Sequence, residues 1–118
     1  FALLDAGLAR LLALAPLEDR GSDYAETVYR IHILCARMAG NQRLQRMLTG
    51  LSLQSLRYSR LGLLSPARRQ RSAALWQQAI EALRAGDVER TIALTHQRIE
   101  ESGDEALRRI DGASAART

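Results

Sequence analysis

Apolar residues recur every three to four positions along most of the chain, and no stretch alternates with a period of two over a useful length. That pattern predicts amphipathic helices and no sheet. A first helix is expected from about Ala2 to Ala15, made strongly apolar by Leu3, Leu4, Leu8, Leu11, Leu12 and Leu14. Arg20-Gly21-Ser22 supplies turn residues, and Asp23 with Glu26 three positions later gives a capping-box-like start to a second helix. That helix runs to about Ala39, where Gly40 suits a C-terminal cap and Asn41 a new N-cap. A third helix is expected over Gln42 to Leu61, broken at Gly62 to Leu64. Ser65-Pro66 starts a fourth, which carries Ala73, Leu75, Trp76, Ala79, Ile80 and Leu83. Gly86-Asp87 stops it and caps a fifth, which begins at Val88 and is expected to bury Ile92, Thr95 and Ile99. Gly103 is a candidate break in this last helix, and fraying is expected from Gly112. Short connections between such helices predict an all-α, antiparallel helical bundle.

Composition fits that picture. Leu, Ala and Arg dominate, with Glu and Gln also well represented, all good helix formers, and 118 residues suit a single domain, here expected over 1–118. All 17 basic residues are arginine. The net charge of +4 is modest and acidic residues are interspersed, which argues against nucleic-acid binding by this segment. The one dense cluster, Arg68-Arg69-Gln70-Arg71, reads as a solvated face rather than a phosphate-contacting patch. Cys35 is the sole cysteine, so no intrachain disulfide forms. It lies on an apolar stripe and reads as a small core residue, consistent with a reducing cytoplasm. No run of about 20 apolar residues is present to span a membrane. The stretch from Phe1 to Pro16 lacks a basic leader and reads as an amphipathic helix rather than a signal peptide. A chain that begins with Phe is expected to be part of something longer.

Familiar catalytic patterns are missing. There is no phosphate-cradling glycine loop, no Gly-x-Ser-x-Gly and no His-Glu-x-x-His. Of two histidines, His96 has an angular position towards solvent. His32 shares a helical face with Val28, Ile31, Cys35, Met38 and Ala39. An ionisable ring there is either a satisfied core histidine or part of a site, and the periodicity leaves both open.

Two anchors carry a resemblance. The first is Ile31-His32, then Ala39-Gly40-Asn41 and Leu44. The second runs from Ala79 through Gly86-Asp87, followed by Arg98-Ile99-Glu100-Glu101-Ser102. Together, over about Asp23 to Ser102, they resemble the FCD domain, the C-terminal effector domain of FadR-type regulators in the GntR family. The resemblance implies an antiparallel helical bundle around a central cavity. Many members hold a divalent metal there with one Asp and three His, and the metal helps bind small carboxylates. At the Asp position, one turn before the first His, this chain has Val28. The first His is His32, the second position is Trp76 and the third is Arg98. One ligand of four remains, so no metal and no cofactor are expected. Arg98 is implied to point inward, where a cation needs an acceptor. The resemblance therefore implies a ligand site of His32, Trp76, Arg98 and Val28 for a small anionic, carboxylate-like metabolite. It also implies a homodimeric bacterial transcription regulator in the cytoplasm. DNA would be bound only through a winged helix-turn-helix lying upstream, and the family's additional first helix is also expected to be missing from this stretch. Two alternatives stay open. In one, Trp76 fills the cavity, leaving a ligand-free helical interaction module. A small arginine-lined helical enzyme of chorismate-mutase type is the other, but no general acid or base pairs with the arginines and the two anchors go unexplained.

Overall fold

In a computed structural model, residues 2–18, 20–38, 40, 42, 46 and 60–117 are described, without the side chains of 113–117. Among them are four helices: α1 (Ala2–Leu14), α2 (Gly21–Met38), α3 (Pro66–Arg84) and α4 (Val88–Arg117). Residues 60–62 are also helical, and no strand occurs among the described residues. The fold is all-α, as the periodicity predicts. The helix expected over Gln42 to Leu61 falls mostly outside the described residues, as does the proposed cap at Asn41.

The punctuation follows the turn chemistry closely at α3 and α4. Ser65 is the N-cap of α3, its hydroxyl accepting from the Arg68 N–H at 3.2 Å, with Pro66 opening the helix. Gly86 adopts φ +75°, and the Asp87 carboxylate accepts from the Arg90 N–H at 3.1 Å to cap α4. Gly40 likewise takes φ +74° just beyond α2. Three expectations are corrected. α2 starts at Gly21, so Asp23 lies in its first turn and pairs with Arg20 instead of capping. Glu26 pairs with Arg30 one turn on, at 2.8 Å. α4 continues through Gly103 and Gly112 to Arg117 without a break.

The main core joins α1, α2 and α3. Leu4, Leu11 and Leu14 pack with Tyr24, Ala25, Val28 and Ile31, and with Ala73, Trp76 and Ile80. Burying each large aliphatic side chain here contributes about 1.5–3 kcal/mol. Gly7 lets α1 approach α2 closely, since a Cβ there would stand 2.9 Å from Ile31. A second cluster of Leu75, Ala79, Ala82 and Leu94 joins α3 to α4, reinforced by an Arg71–Glu101 ion pair at 3.0 Å.

The dense basic cluster is a solvated face only in part: Gln70 and Arg71 are exposed and Arg68 is partly buried. Arg69 is fully buried and works as a clamp. Its Nε donates to the Ala15 carbonyl at 3.1 Å, and Nη1 donates to Leu63 and Leu64 at 3.0 and 2.6 Å. Nη2 donates to the Leu17 carbonyl. The guanidinium thus ties the carbonyl-rich end of α1 to the turn before α3, where partial negative charge gathers. Burial on α4 is also rotated from expectation. Ile92 and Ile99 are exposed, whereas Leu94, Arg98 and Ala106 are buried. Cys35 and Met38 are exposed as well, because the buried face of α2 turns to Ala36 after Ile31.

Candidate functional site

Three helices each deliver one residue to a single point. On α2, His32 follows Val28 by one turn and is partly buried. On α3, Trp76 belongs to the inner stripe that includes Ala73 and Ile80. On α4, Arg98 follows the buried Leu94 by one turn and is 6% exposed. Residues four apart share a helix face, so these apolar neighbours aim the three side chains inward.

The geometry is tight. Arg98 Nη2 donates to His32 Nε2 at 3.2 Å. The Arg98 guanidinium carbon stacks 4.0 Å from the Trp76 ring centre. The His32 and Trp76 rings are 5.5 Å apart and tilted by 44°. Val28 lies in the same apolar cluster as Trp76 and supplies wall but no polar atom.

Electrostatics follow from that burial. Desolvation, and then the Arg98 charge, lowers the His32 pKa to about 4, so the ring is neutral at pH 7. A neutral ring accepting at Nε2 carries its proton on Nδ1. Burial lowers Arg98 to about 10, partly offset by Tyr24 and Cys35; the guanidinium stays charged. No carboxylate among the described residues pairs with it. The Trp76 indole Nε1 is buried and has no hydrogen-bond partner among the described residues. The arrangement is therefore a desolvated cation beside an unsatisfied donor. Such a site suits an anion with several acceptor oxygens.

Sequence reasoning overlooked the neighbours of this point. Tyr24, one turn before Val28, is fully buried and donates its hydroxyl to the Arg69 carbonyl at 3.1 Å. Burial raises the Tyr24 pKa to about 12, against a lowering hydrogen bond from Ser72 and the charges of Arg98, Arg69 and Arg68. The four-residue spacing of Tyr24 to Val28 and of Ser72 to Trp76 was the available signal.

The residues do not fit the divalent metal that the resemblance associates with this position. Val28 offers no donor atom, an indole is no ligand for such an ion, and the Arg98 cation occupies the accepting nitrogen of His32. Among the described residues, no three His, Cys, Asp or Glu side chains gather around one point. No helix among them is long and apolar enough to cross a membrane.

Comparison with known proteins is consistent with this architecture. The FCD domain matches residues 2–101, which takes in α1 as well as both anchor motifs. No curated protein and no solved structure matches the chain. FCD domains are effector-sensing domains of GntR-type transcription regulators, which are not enzymes. With a match over most of its length and an all-helical fold, the chain belongs to the FCD domain family.

Proposed function

We propose that this domain senses a small anionic, carboxylate-bearing metabolite without a metal, at a site built from Arg98, His32, Trp76 and Val28. In this reading a fixed guanidinium stands where relatives use a metal ion. One observation carries it: Arg98 is 6% exposed, stacked on Trp76 and hydrogen-bonded to a neutral histidine, with no carboxylate partner among the described residues. A buried cation so placed is costly unless an acceptor arrives. The effector would bind through bidentate hydrogen bonds to Arg98 and shift a homodimer between two arrangements by differential affinity. DNA binding then follows through an upstream winged-helix domain, which places the protein in the cytoplasm.

Trp76 favours a second reading. Its ring belongs to the main core cluster and is 6% exposed, which suits a filler in a ligand-free interaction module. Thermal melts of the chain with and without small carboxylates separate the two. A ligand at about 100 times its Kd raises stability by about 2.7 kcal/mol. The sensing reading expects such a shift in the unmodified chain and its loss in Arg98→Ala. No shift with any carboxylate overturns it.

A further inference from the structure

We infer that Arg68 is a second anion anchor, and that the effector carries two separate negative groups, as in a dicarboxylate or a carboxylate-bearing phosphate ester. This rests on the anion-binding reading of the Arg98 cluster and extends it along α3.

Arg68, Ser72 and Trp76 are spaced by four residues and form one ladder on the inner face of α3. Ser72 is 2% exposed and Trp76 6%. Arg68 is only partly buried, yet its Nε and Nη2 atoms are shut away from solvent with no hydrogen-bond partner among the described residues. Unmade donors of this kind are rare in folded proteins and call for an explanation. The Trp76 Nε1 at the other end of the ladder is in the same condition.

Charge points the same way. The charges felt by the Tyr24 phenol, between the two ends, come from Arg98, Arg69 and Arg68, all cations. Arg69 spends its donors on backbone carbonyls. Arg68 and Arg98 differ from it. Arg68 leaves two buried donors unmade, and the one side-chain hydrogen-bond partner of Arg98 among the described residues is a neutral histidine. A monoanion at Arg98 would leave the Arg68 donors unmet, whereas a ligand with a second anionic end satisfies both guanidinia. On the facing helix, Glu101 engages Arg71 through Oε1 at 3.0 Å, and its Oε2 is buried without a hydrogen-bond partner among the described residues.

Calorimetric titration tests this on the whole chain. The probes are butyrate as monoanion, succinate, glutarate and adipate as dicarboxylates, 3-phosphoglycerate as a carboxylate-bearing phosphate ester, and inorganic phosphate as a single anionic group. Variants are Arg68→Gln, Arg68→Met and Arg98→Gln, each checked for helicity. The expected result is that at least one dicarboxylate or 3-phosphoglycerate binds about tenfold or more tighter than butyrate. Both Arg68 variants remove that preference and leave butyrate binding within about threefold, while Arg98→Gln abolishes binding of every probe. The preferred dicarboxylate or phosphate ester identifies the second anionic group. If anions bind in an Arg98-dependent way but dianion preference is absent or survives in both Arg68 variants, the second anchor is overturned and the sensing reading stands. If inorganic phosphate alone binds, the ligand lacks two separate groups and the inference fails. If no probe binds, or Arg98→Gln has no effect, both readings fall together.

Discussion

The Arg98 guanidinium carbon stands 4.0 Å from the centre of the Trp76 ring, and that stacking replaces the carboxylate a buried arginine ordinarily requires. A desolvated cation–π contact contributes about 2 kcal/mol. Desolvating the ion costs several kcal/mol, so the contact does not offset it. Arg98→Met keeps most of the volume and removes the charge. The unliganded variant is expected to be as stable as the parent or more stable by about 1–2 kcal/mol, measured by urea unfolding. It should also lose any stabilisation by carboxylates. A drop in stability of similar size would mean that the arginine is structural.

His32 makes stability depend on pH. Its folded pKa of about 4 lies below the ordinary 6.5, chiefly through burial and secondarily through Arg98. Below pH 6.5 the unfolded chain binds a proton that the folded chain refuses, so stability falls with pH until the folded ring also titrates near pH 4. Above pH 6.5 the term is constant. The His32 contribution lost by pH 5 is about 1–2 kcal/mol. The decline between pH 7 and 5 should be smaller by that amount in His32→Gln. In Arg98→Met, an NMR titration of His32 should move upward, because the second cause of its depression is gone.

Arg69 is a structural cation, in contrast to Arg98. Its guanidinium satisfies carbonyls of Ala15, Leu17, Leu63 and Leu64. Arg69→Met leaves these oxygens without their donor and should destabilise the domain by about 3–5 kcal/mol. Arg69→Lys keeps the charge but loses the planar fork, and falls between the two. Denaturant midpoints rank the three proteins, and equal midpoints would contradict the clamp.

Ile92 and Ile99 lie seven residues apart on one outer face of α4, at 51% and 55% exposure. Val88, Leu107 and Ile110 extend that apolar stripe along the helix. An exposed apolar stripe of this kind suits an interaction surface, and the proposed homodimer is expected to use it. Ile92→Glu with Ile99→Glu should convert dimer to monomer in light scattering without lowering helicity. A dimer that survives both charges uses another face.

Much of the fold was legible because caps and periodicity are local. Ser65-Pro66 and Gly86-Asp87 specify their turns through the backbone of three or four residues, and tertiary packing leaves those bonds in place. The phase of α4 was not legible. Ile92 and Ile99 mark one apolar stripe, but Leu94, Arg98 and Ala106 compete for the core, and packing on α3 decides between them. Arg69 was misread for a related reason. Two of its partners are carbonyls about 50 residues away in the chain, and all are backbone atoms, which no side-chain pattern records. The meeting of His32, Trp76 and Arg98 was anticipated from family resemblance alone, since helical phase treats an inward arginine as an error. Tyr24 escaped notice because it stands at no position that the resemblance marks, and Arg68 is read from the sequence only as part of a solvated basic cluster.

Gly62 and Gly103 give opposite expectations for the same substitution. Both are helical, so propensity alone favours alanine at each by about 1 kcal/mol. At Gly62, a Cβ would run into the Ser102 carbonyl oxygen on α4, with the Ser102 carbonyl carbon 3.1 Å away. Those are backbone atoms of a 30-residue helix and cannot swing aside as a side-chain tip can. Gly62→Ala must push α4 outward, and its overpacking cost of about 1–3 kcal/mol exceeds the propensity gain at the upper end of that range. A Cβ at Gly103 meets nothing within 4 Å, and the position is exposed. Gly103→Ala should therefore stabilise by about 0.4–1 kcal/mol, through helix propensity and a less mobile unfolded chain. Thermal melts of the two single variants settle the contrast. Because Ser102 is one residue from Gly103 and four from Arg98, displacing it should also weaken anion binding in Gly62→Ala but not in Gly103→Ala. Equal stabilisation of both would show that the 60–62 turn does not press against α4.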